Sequence, residues 1–346
     1  IKGYTPFLDS LISESYTSEL TFATGKKSID AIPSILASIP TGKMHFALSK
    51  YCANNINGIG TLLKKQGYNT SFFHGAANGS MGFQSISKLF GMDDYHGMNE
   101  YDNDEDFDGT WGIWDSKFLP YYAQQLNKTQ QPFCSGIFTL SSHHPYKLPD
   151  SYRGKFRKGK HEIHECVQYT DLALKRFFDT ISNEEWFNNT LFIITADHTN
   201  HAFMPLYRNN MGIFRVPIVF YDPSNPSLKS FNKDIIQQID IMPSVLSYLN
   251  YPDDYMAFGN NIFDQDQDKF AINYHNNFQI IMDSIFMIMD VDNDKVVGTY
   301  NFIQDPLLKR NRFTDSSLYI KGHKEKLMSF IQQYNNRMIL NQLILE

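Results

Sequence analysis

The chain has 346 residues, of which 42% are apolar, 15% are aromatic and 20% are charged, and its formal net charge is −6. This composition is sufficient for a large buried core and excludes a disordered or fibrous protein. The acidic balance excludes a basic nucleic-acid-binding surface, so we expect no nucleic-acid partner.

Helix-like and strand-like patterns alternate between about residues 45 and 250. This alternation predicts a mainly parallel sheet with helices on both faces, an α/β fold. The predicted strands are short apolar runs at residues 68–73, 133–140, 190–196 and 216–221, and the predicted helices are near residues 117–126, 160–181 and 234–249.

The pattern changes after residue 250. Strand-like segments at 270–274, 279–289 and 296–302 follow one another and suggest antiparallel pairing, and a final helix has apolar residues at helical spacing from Leu327 to Met338. We therefore expect two parts, a domain over residues 1–250 and a small C-terminal α+β subdomain over residues 251–346 packed on it.

Three of the predicted strands lead directly to histidines. His74 follows the first strand, His143 the second, and Asp197-His198 the third. In open α/β sheets, ligands bind outside the carboxyl ends of the strands. These residues therefore indicate one functional site.

Asp197 and His198 offer a carboxylate oxygen and an imidazole nitrogen at the end of an apolar strand. This combination suits Mn or Zn better than Ca. The alternative is a capping aspartate beside a surface histidine, and the spacing alone does not separate the two.

His74 and His143 are candidates for binding an anionic group, because imidazoles can donate hydrogen bonds to its oxygens as charge develops. A single histidine at a strand end is more often structural, and only the convergence of several favours the functional interpretation.

Ser28 follows a polar turn and begins an apolar helical pattern. The free N–H groups and the dipole at a helix N-terminus favour an anion or an alkoxide there. For an isolated serine, a plain N-cap is the simpler interpretation.

These motifs together resemble the lipoteichoic-acid-synthase-like branch of the sulfatase and alkaline phosphatase superfamily, over essentially the whole chain. Four segments carry the resemblance, with His143 in a Ser-His-x-Pro-Tyr setting as a fifth element: residues 4–9, 27–33, 72–75 and 195–198.

The resemblance implies an alkaline-phosphatase-like and sulfatase-like α/β core in residues 1–250, with one divalent metal ion at the nucleophile. Mn is the first choice, and Zn, Mg and Ca are alternatives. By position, Ser28 is implied as the catalytic nucleophile and a metal ligand, and Asp197 and His198 as further metal ligands. His74 and His143 fall at substrate-binding positions.

Two departures from the family pattern stand out. The family has a glutamate ligand after an opening strand, and only three residues precede Tyr4 here, so we expect that strand, the glutamate and a membrane anchor upstream of Ile1. The lipoteichoic acid enzymes also follow their His-Gly with a Trp and an Arg that hold glycerol phosphate, whereas residues 76–83 contain neither. The resemblance therefore does not specify polyglycerol phosphate as the product.

Sulfatases that oxidise their nucleophile carry Pro and Arg two and four residues after it, where this chain has Asp30 and Ile32. An unmodified Ser28 would instead attack phosphorus. We therefore predict a phosphotransferase that moves an alcohol phosphate from a phospholipid donor to a glycan or lipid acceptor, at the extracytoplasmic face of a bacterial membrane. The alternatives are a sulfatase-type or phosphodiesterase-type hydrolase and a catalytically inactive binding domain.

Overall fold

The computed structural model describes residues 3–312 and 318–345. The helices in that part of the chain are α1 Pro6–Ile12, α2 Ser28–Ala37, α3 Ile59–Lys64, α4 Phe83–Leu89, α5 Met98–Tyr101, α6 Asp115–Leu126, α7 Ile163–Ile181, α8 Ile241–Tyr248 and α9 Leu318–Leu340. The strands are β1 Tyr16–Phe22, β2 Asn69–His74, β3 Asp94–His96, β4 Phe133–Phe138, β5 Phe192–Thr195, β6 Ile218–Tyr221, β7 Ser230–Gln237, β8 Phe270–His275, β9 Asn277–Met282, β10 Ile285–Asp290 and β11 Lys295–Asn301.

The contacts between residues divide the chain into two compact units that are both discontinuous in sequence. Unit 1 contains the residues up to Tyr16, Gly60–Ile193 and Val219–Phe231. Unit 2 contains Thr17–Ile59, Ile194–Ile218 and the residues from Asn232 onward. The boundary that we predict at residue 250 stays a prediction.

Unit 1 contains a three-stranded parallel sheet in the order β3-β2-β4. The β-branched and aromatic residues of β2 suit the buried interior of such a sheet. In its register, His74 at the end of β2 is opposite Phe138 at the end of β4. The chain therefore leaves both strands at the same edge, the position where functional groups are expected in a parallel sheet.

Helices of unit 1 are fixed by buried polar contacts as well as by apolar packing. Asp171, in the middle of α7, accepts hydrogen bonds from the backbone N–H groups of Phe7 and Leu8, at 3.0 and 2.9 Å. These are two of the N–H groups that the first turn of α1 leaves without a helical partner. A side chain from a distant helix thus caps α1.

Unit 2 contains an antiparallel sheet in the order β11-β10-β9-β8. One apolar cluster joins this sheet to α9 through residues such as Ile272, Met287 and Leu327. Another cluster joins it to β1 through Phe22, Ala271 and Phe286. Both faces of this small sheet are therefore covered.

A further four-stranded sheet has the order β5-β6-β1-β7, in which β1 and β6 are antiparallel. The strands predicted near 68–73, 133–140, 190–196 and 216–221 are found as β2, β4, β5 and β6. No helix in the described part of the chain is long and apolar enough to cross a bilayer.

Two predicted element boundaries are wrong. Residues 234–237, predicted as the start of a helix, belong to β7, and α8 begins only at Ile241 after a short 3-10 turn. The segment 279–289, predicted as one strand, contains the end of β9, a turn at Asp283 and most of β10. Asp283 has a φ of 54°, which a continuous strand does not allow.

Candidate active site

Ser28 is the first residue of α2 and is buried, with 6% of its surface exposed. The N-cap is Lys27, whose backbone is extended and whose side chain makes no capping hydrogen bond. The structure therefore does not support the interpretation of Ser28 as a plain N-cap. Its hydroxyl lies in the first helical turn, where the dipole favours developing negative charge.

The Ser28 hydroxyl donates a hydrogen bond to Asp197 Oδ2 at 2.6 Å. His198 Nε2 lies 3.3 Å from the same carboxylate oxygen. Asp197 and His198 come just after Thr195, the last residue of β5. A hydroxyl oxygen, a carboxylate oxygen and an imidazole nitrogen thus meet within unit 2.

The orientation of the His198 ring is set by the backbone of the next residue. Its Nδ1 lies 2.8 Å from the carbonyl oxygen of Thr199. A carbonyl can only accept, so Nδ1 carries the proton and, in the neutral ring, Nε2 keeps its lone pair. Metal-binding histidines commonly donate their second ring N–H to a carbonyl in this way.

The donor types at this position fit a divalent cation. Ser28, Asp197 and His198 provide two oxygens and one nitrogen, a set compatible with Mn, Mg or Zn. Among the described residues there is no group of three or more His, Cys, Asp or Glu side chains that could hold a metal ion. The three residues therefore fit part of a metal site.

His74, at the end of β2 in unit 1, is almost fully buried, with 1% of its surface exposed. Its Nδ1 shares a 3.1 Å hydrogen bond with the Tyr95 hydroxyl, and its Nε2 has no partner. Burial lowers the pKa of His74 to about 4, so the ring is neutral near pH 7. It can act through a hydrogen bond but not as a cation.

His143 lies in unit 1 after β4 and is exposed. Its Nδ1 donates to the carbonyl oxygen of His144 at 2.9 Å. The Trp111 ring lies 4.2 Å from the His143 ring, and the Trp111 indole N–H donates to the same His144 carbonyl. These contacts orient the imidazole and direct its Nε2 away from the backbone.

Several residues that support this arrangement were not identified from the sequence. Asp115 is buried and accepts hydrogen bonds from the backbone N–H groups of Leu140 and Ser141, three and two residues before His143. Asp30, in the first turn of α2, lies 2.7 Å from His45 Nδ1. The position of Asp30 two residues after Ser28 was a usable signal, whereas nothing in the pattern indicated Asp115 or His45.

Family and sequence comparisons give a consistent result. The family model described as Sulfatase matches residues 2–251. Lipoteichoic acid synthase 1 of Bacillus subtilis (strain 168) is 25% identical over 291 residues, which are 76% of this chain and 45% of that protein. Lipoteichoic acid synthase of Staphylococcus aureus (strain USA300) is 26% identical over 289 residues, 76% of this chain and 44% of that protein. The chain spans about half the length of these curated relatives.

Solved structures share the fold. An alkaline phosphatase superfamily protein from Vibrio parahaemolyticus has a TM-score of 0.81 at 24% identity. The match covers 97% of this chain and 82% of that chain. The lipoteichoic acid synthase LtaP from Listeria monocytogenes has a TM-score of 0.81 at 21% identity. The match covers 99% of this chain and 88% of that chain. The predicted alkaline-phosphatase-like and sulfatase-like α/β fold with a C-terminal antiparallel part is therefore confirmed.

Proposed function

Because the chain belongs to the Sulfatase family, we propose that it forms the catalytic part of a metal-dependent phosphotransferase acting on a phospholipid. Within the sulfatase and alkaline phosphatase superfamily it is a lipoteichoic-acid-synthase-like member. The proposed reaction moves an alcohol phosphate, of the glycerol phosphate or phosphoethanolamine type, to a glycan or lipid acceptor of the cell envelope. On the basis of the family resemblance, we propose that the reaction takes place at the extracytoplasmic face of a bacterial membrane.

The observation that carries this proposal is the 2.6 Å hydrogen bond from the Ser28 hydroxyl to Asp197 Oδ2. A serine hydroxyl is a weak nucleophile until a neighbouring group removes or stabilises its proton. The carboxylate of Asp197 is placed to hold that proton, and the first turn of α2 favours the resulting negative charge. Ser28 therefore has the surroundings of an activated nucleophile.

The proposed transfer has two displacements at phosphorus. Ser28 Oγ forms a bond to phosphorus while the bond to the diacylglycerol oxygen breaks. The proton that Ser28 gives to Asp197 passes to that oxygen, diacylglycerol leaves, and the alcohol phosphate stays on the serine. The hydroxyl oxygen of the acceptor then forms a bond to phosphorus while the bond to Ser28 Oγ breaks, and the proton of the acceptor hydroxyl returns to Ser28 Oγ. A divalent cation held by Ser28, Asp197 and His198, with Mn preferred, would favour the alkoxide form of Ser28 and offset the charge of the phosphoryl oxygens.

His74 and His143 are proposed to bind the transferred group, on the basis of the family resemblance. The buried, neutral ring of His74 suits a hydrogen bond to a phosphoryl oxygen or alcohol. His143 is exposed and its ring is oriented by Trp111, so its Nε2 can also form a hydrogen bond to the transferred group. Hydrolysis on the same residues is the alternative outcome, in which water replaces the acceptor hydroxyl.

The test uses the natural full-length protein with Mn²⁺ and liposomes that contain fluorescent phosphatidylglycerol or phosphatidylethanolamine. We expect release of fluorescent diacylglycerol and a transient adduct on Ser28 by intact-mass spectrometry. Ser28→Ala should remove the adduct and lower turnover by at least about 10³-fold, because it removes the nucleophile. Ser28→Thr should retain measurable turnover, because it keeps a hydroxyl.

Ser34→Ala is the matched control, since Ser34 is another buried hydroxyl on α2 that bonds to Thr24 and to backbone carbonyls. It should keep both the adduct and most of the turnover. An adduct that persists in Ser28→Ala contradicts the proposal. Released alcohol phosphate with no lipid-linked product would instead identify a hydrolase, and no diacylglycerol from either donor would favour the inactive binding domain.

A further inference from the structure

Gln238 is a fully buried amide, with 0% of its surface exposed, in the 3-10 turn that follows β7 in unit 2. Its Oε1 accepts the backbone N–H of Thr24 at 3.0 Å. Its Nε2 donates to the carbonyl oxygens of Ala196 and Asp197, both at 2.9 Å. Both N–H donors and the amide oxygen are therefore used, which defines one orientation of the side chain.

The two backbone segments that this amide joins carry the reacting groups. Thr24 begins the turn that leads into α2 and Ser28. Ala196 and Asp197 follow β5 directly. The amide is planar and its three shortest hydrogen bonds are made to main-chain atoms, with a longer one of 3.4 Å from the Thr24 hydroxyl, so it fixes the distance between the two segments.

The 2.6 Å contact between Ser28 Oγ and Asp197 Oδ2 depends on that distance. A shift of about 1 Å between the groups of a catalytic pair can cost roughly 10²-fold in rate. The Asn273 amide also holds this turn, through the carbonyls of Ala23 and Thr24, but it joins the turn to β8 and not to Asp197. The link to Asp197 is made by Gln238.

We propose that Gln238 is a positioning residue that sets the spacing between the nucleophile Ser28 and the Asp197-His198 pair. The inference rests on the proposed function, because it requires Ser28 and Asp197 to react together. Gln238 acts through the backbone, since it bonds to the main chain of Thr24, Ala196 and Asp197 and not to the reacting side chains. Its loss should therefore lower the rate of the chemical step more than the binding of the donor.

The matched control is the neighbouring Gln237, which is also an amide with 0% exposure. Its Oε1 accepts the Ile272 N–H at 3.1 Å, and its Nε2 donates to the Ile272 carbonyl at 2.9 Å and to Ala23 at 3.4 Å. It joins β8 to the start of the same turn without contacting Asp197. Gln237→Met and Gln238→Met thus remove similar buried amides, but only Gln238→Met removes the hydrogen bonds that join the Thr24 turn to Asp197.

The first experiment measures diacylglycerol release from fluorescent phosphatidylglycerol by the full-length protein with Mn²⁺. We expect Gln238→Met to lower kcat by about 10- to 100-fold with KM changed less than about threefold. Gln237→Met should stay within about threefold of the wild type in kcat. Gln238→Glu keeps an acceptor for Thr24 but loses both N–H donors, and it should also lower kcat by at least about tenfold.

The second experiment needs no variant and no activity. Hydrogen exchange of the wild-type protein should show the Thr24 amide to be protected at least about 100-fold relative to an unstructured amide, because its acceptor is a buried side chain. An unprotected Thr24 amide overturns the inference, even where the Gln238 variants fail to fold.

The outcomes separate this inference from the proposed function. If Ser28→Ala is inactive while Gln238→Met has the kcat of the wild type, the positioning role is wrong and the proposed function stands. If Ser28→Ala retains full turnover, the proposed function is wrong and the positioning role fails with it. Equal losses of kcat in Gln237→Met and Gln238→Met would assign the effect to general destabilisation and also overturn the inference.

Discussion

Burial of His74 should make the stability of the folded protein depend on pH in a predictable direction. The folded pKa of His74 is about 4, against an ordinary value of 6.5. Above pH 6.5 the ring is neutral in both states, so it adds no pH dependence. As the pH falls from 6.5 towards 4, only the unfolded state takes up the proton, and folding loses stability. Below pH 4 both states are protonated and the loss stays constant.

The size of the effect follows from these two pKa values. Between pH 7 and pH 5, the linkage relation gives a loss of about 2 kcal/mol from His74 alone. At pH 5 the expected loss depends only weakly on the folded pKa, because a folded pKa one unit higher still gives a loss of about 1.5 kcal/mol between pH 7 and pH 5. The full loss, reached below pH 4, is about 3 kcal/mol.

His74→Asn removes the titrating group while keeping a polar atom near Nδ1 that can bond to the Tyr95 hydroxyl. The assay is urea unfolding at pH 7 and pH 5, followed by tryptophan fluorescence, since the three tryptophans all lie in unit 1. From pH 7 to pH 5, the unfolding free energy of the wild type should fall by about 2 kcal/mol more than that of His74→Asn. Contributions of the other titrating groups cancel in the difference.

The loss of unfolding free energy from pH 7 to pH 5 is compared between the wild type and His74→Asn. If the two losses differ by less than about 0.5 kcal/mol, the reasoning is refuted, because His74 would then be hydrated in the folded protein.

Three further results are expected. Asp115→Ala leaves buried backbone N–H groups after β4 without an acceptor, so the unfolding free energy of the protein should fall by about 3 to 5 kcal/mol in the same fluorescence assay; a loss below about 1 kcal/mol would contradict this. Trp111→Phe keeps a ring beside His143 but loses the indole N–H, and donor KM should rise by about 3- to 10-fold with a smaller change in kcat; an unchanged KM would argue against the orienting role of Trp111. Asp197→Ala should lower bound manganese in the full-length protein to less than about a tenth by elemental analysis, and undiminished metal would exclude this carboxylate as a ligand.

The sequence alone determined the features that depend on neighbouring residues. Apolar runs of strand length predicted β2, β4, β5 and β6, because alternating or continuous apolar residues encode burial locally. The placement of Asp197-His198 and His74 at strand ends followed from the same pattern. The resemblance to the lipoteichoic-acid-synthase-like branch, carried by short motifs, is confirmed by the comparisons.

Local sequence patterns also explain why two predicted element boundaries are wrong. Residues 234–237 contain two isoleucines that suit a helix or a strand equally well, and only pairing within a sheet assigns them to β7. The segment 279–289 concealed a turn, because the polar pair Asp283-Ser284 is short compared with the apolar runs on either side of it. Short apolar runs are ambiguous in this way because propensity is weak compared with tertiary packing.

Only the tertiary structure decided which polar groups meet. Ser28 and Asp197 are 169 residues apart in sequence and 2.6 Å apart in space. Asp115, His45 and Gln238 have no periodic or spacing signal, yet each makes buried or partly buried contacts that position a neighbour. Periodicity specifies which face of an element is buried, but the partner of a polar group on that face depends on which distant element packs there. A buried polar group must find a partner or lose stability, so these long-range pairings are strongly determined by the fold although no local pattern encodes them.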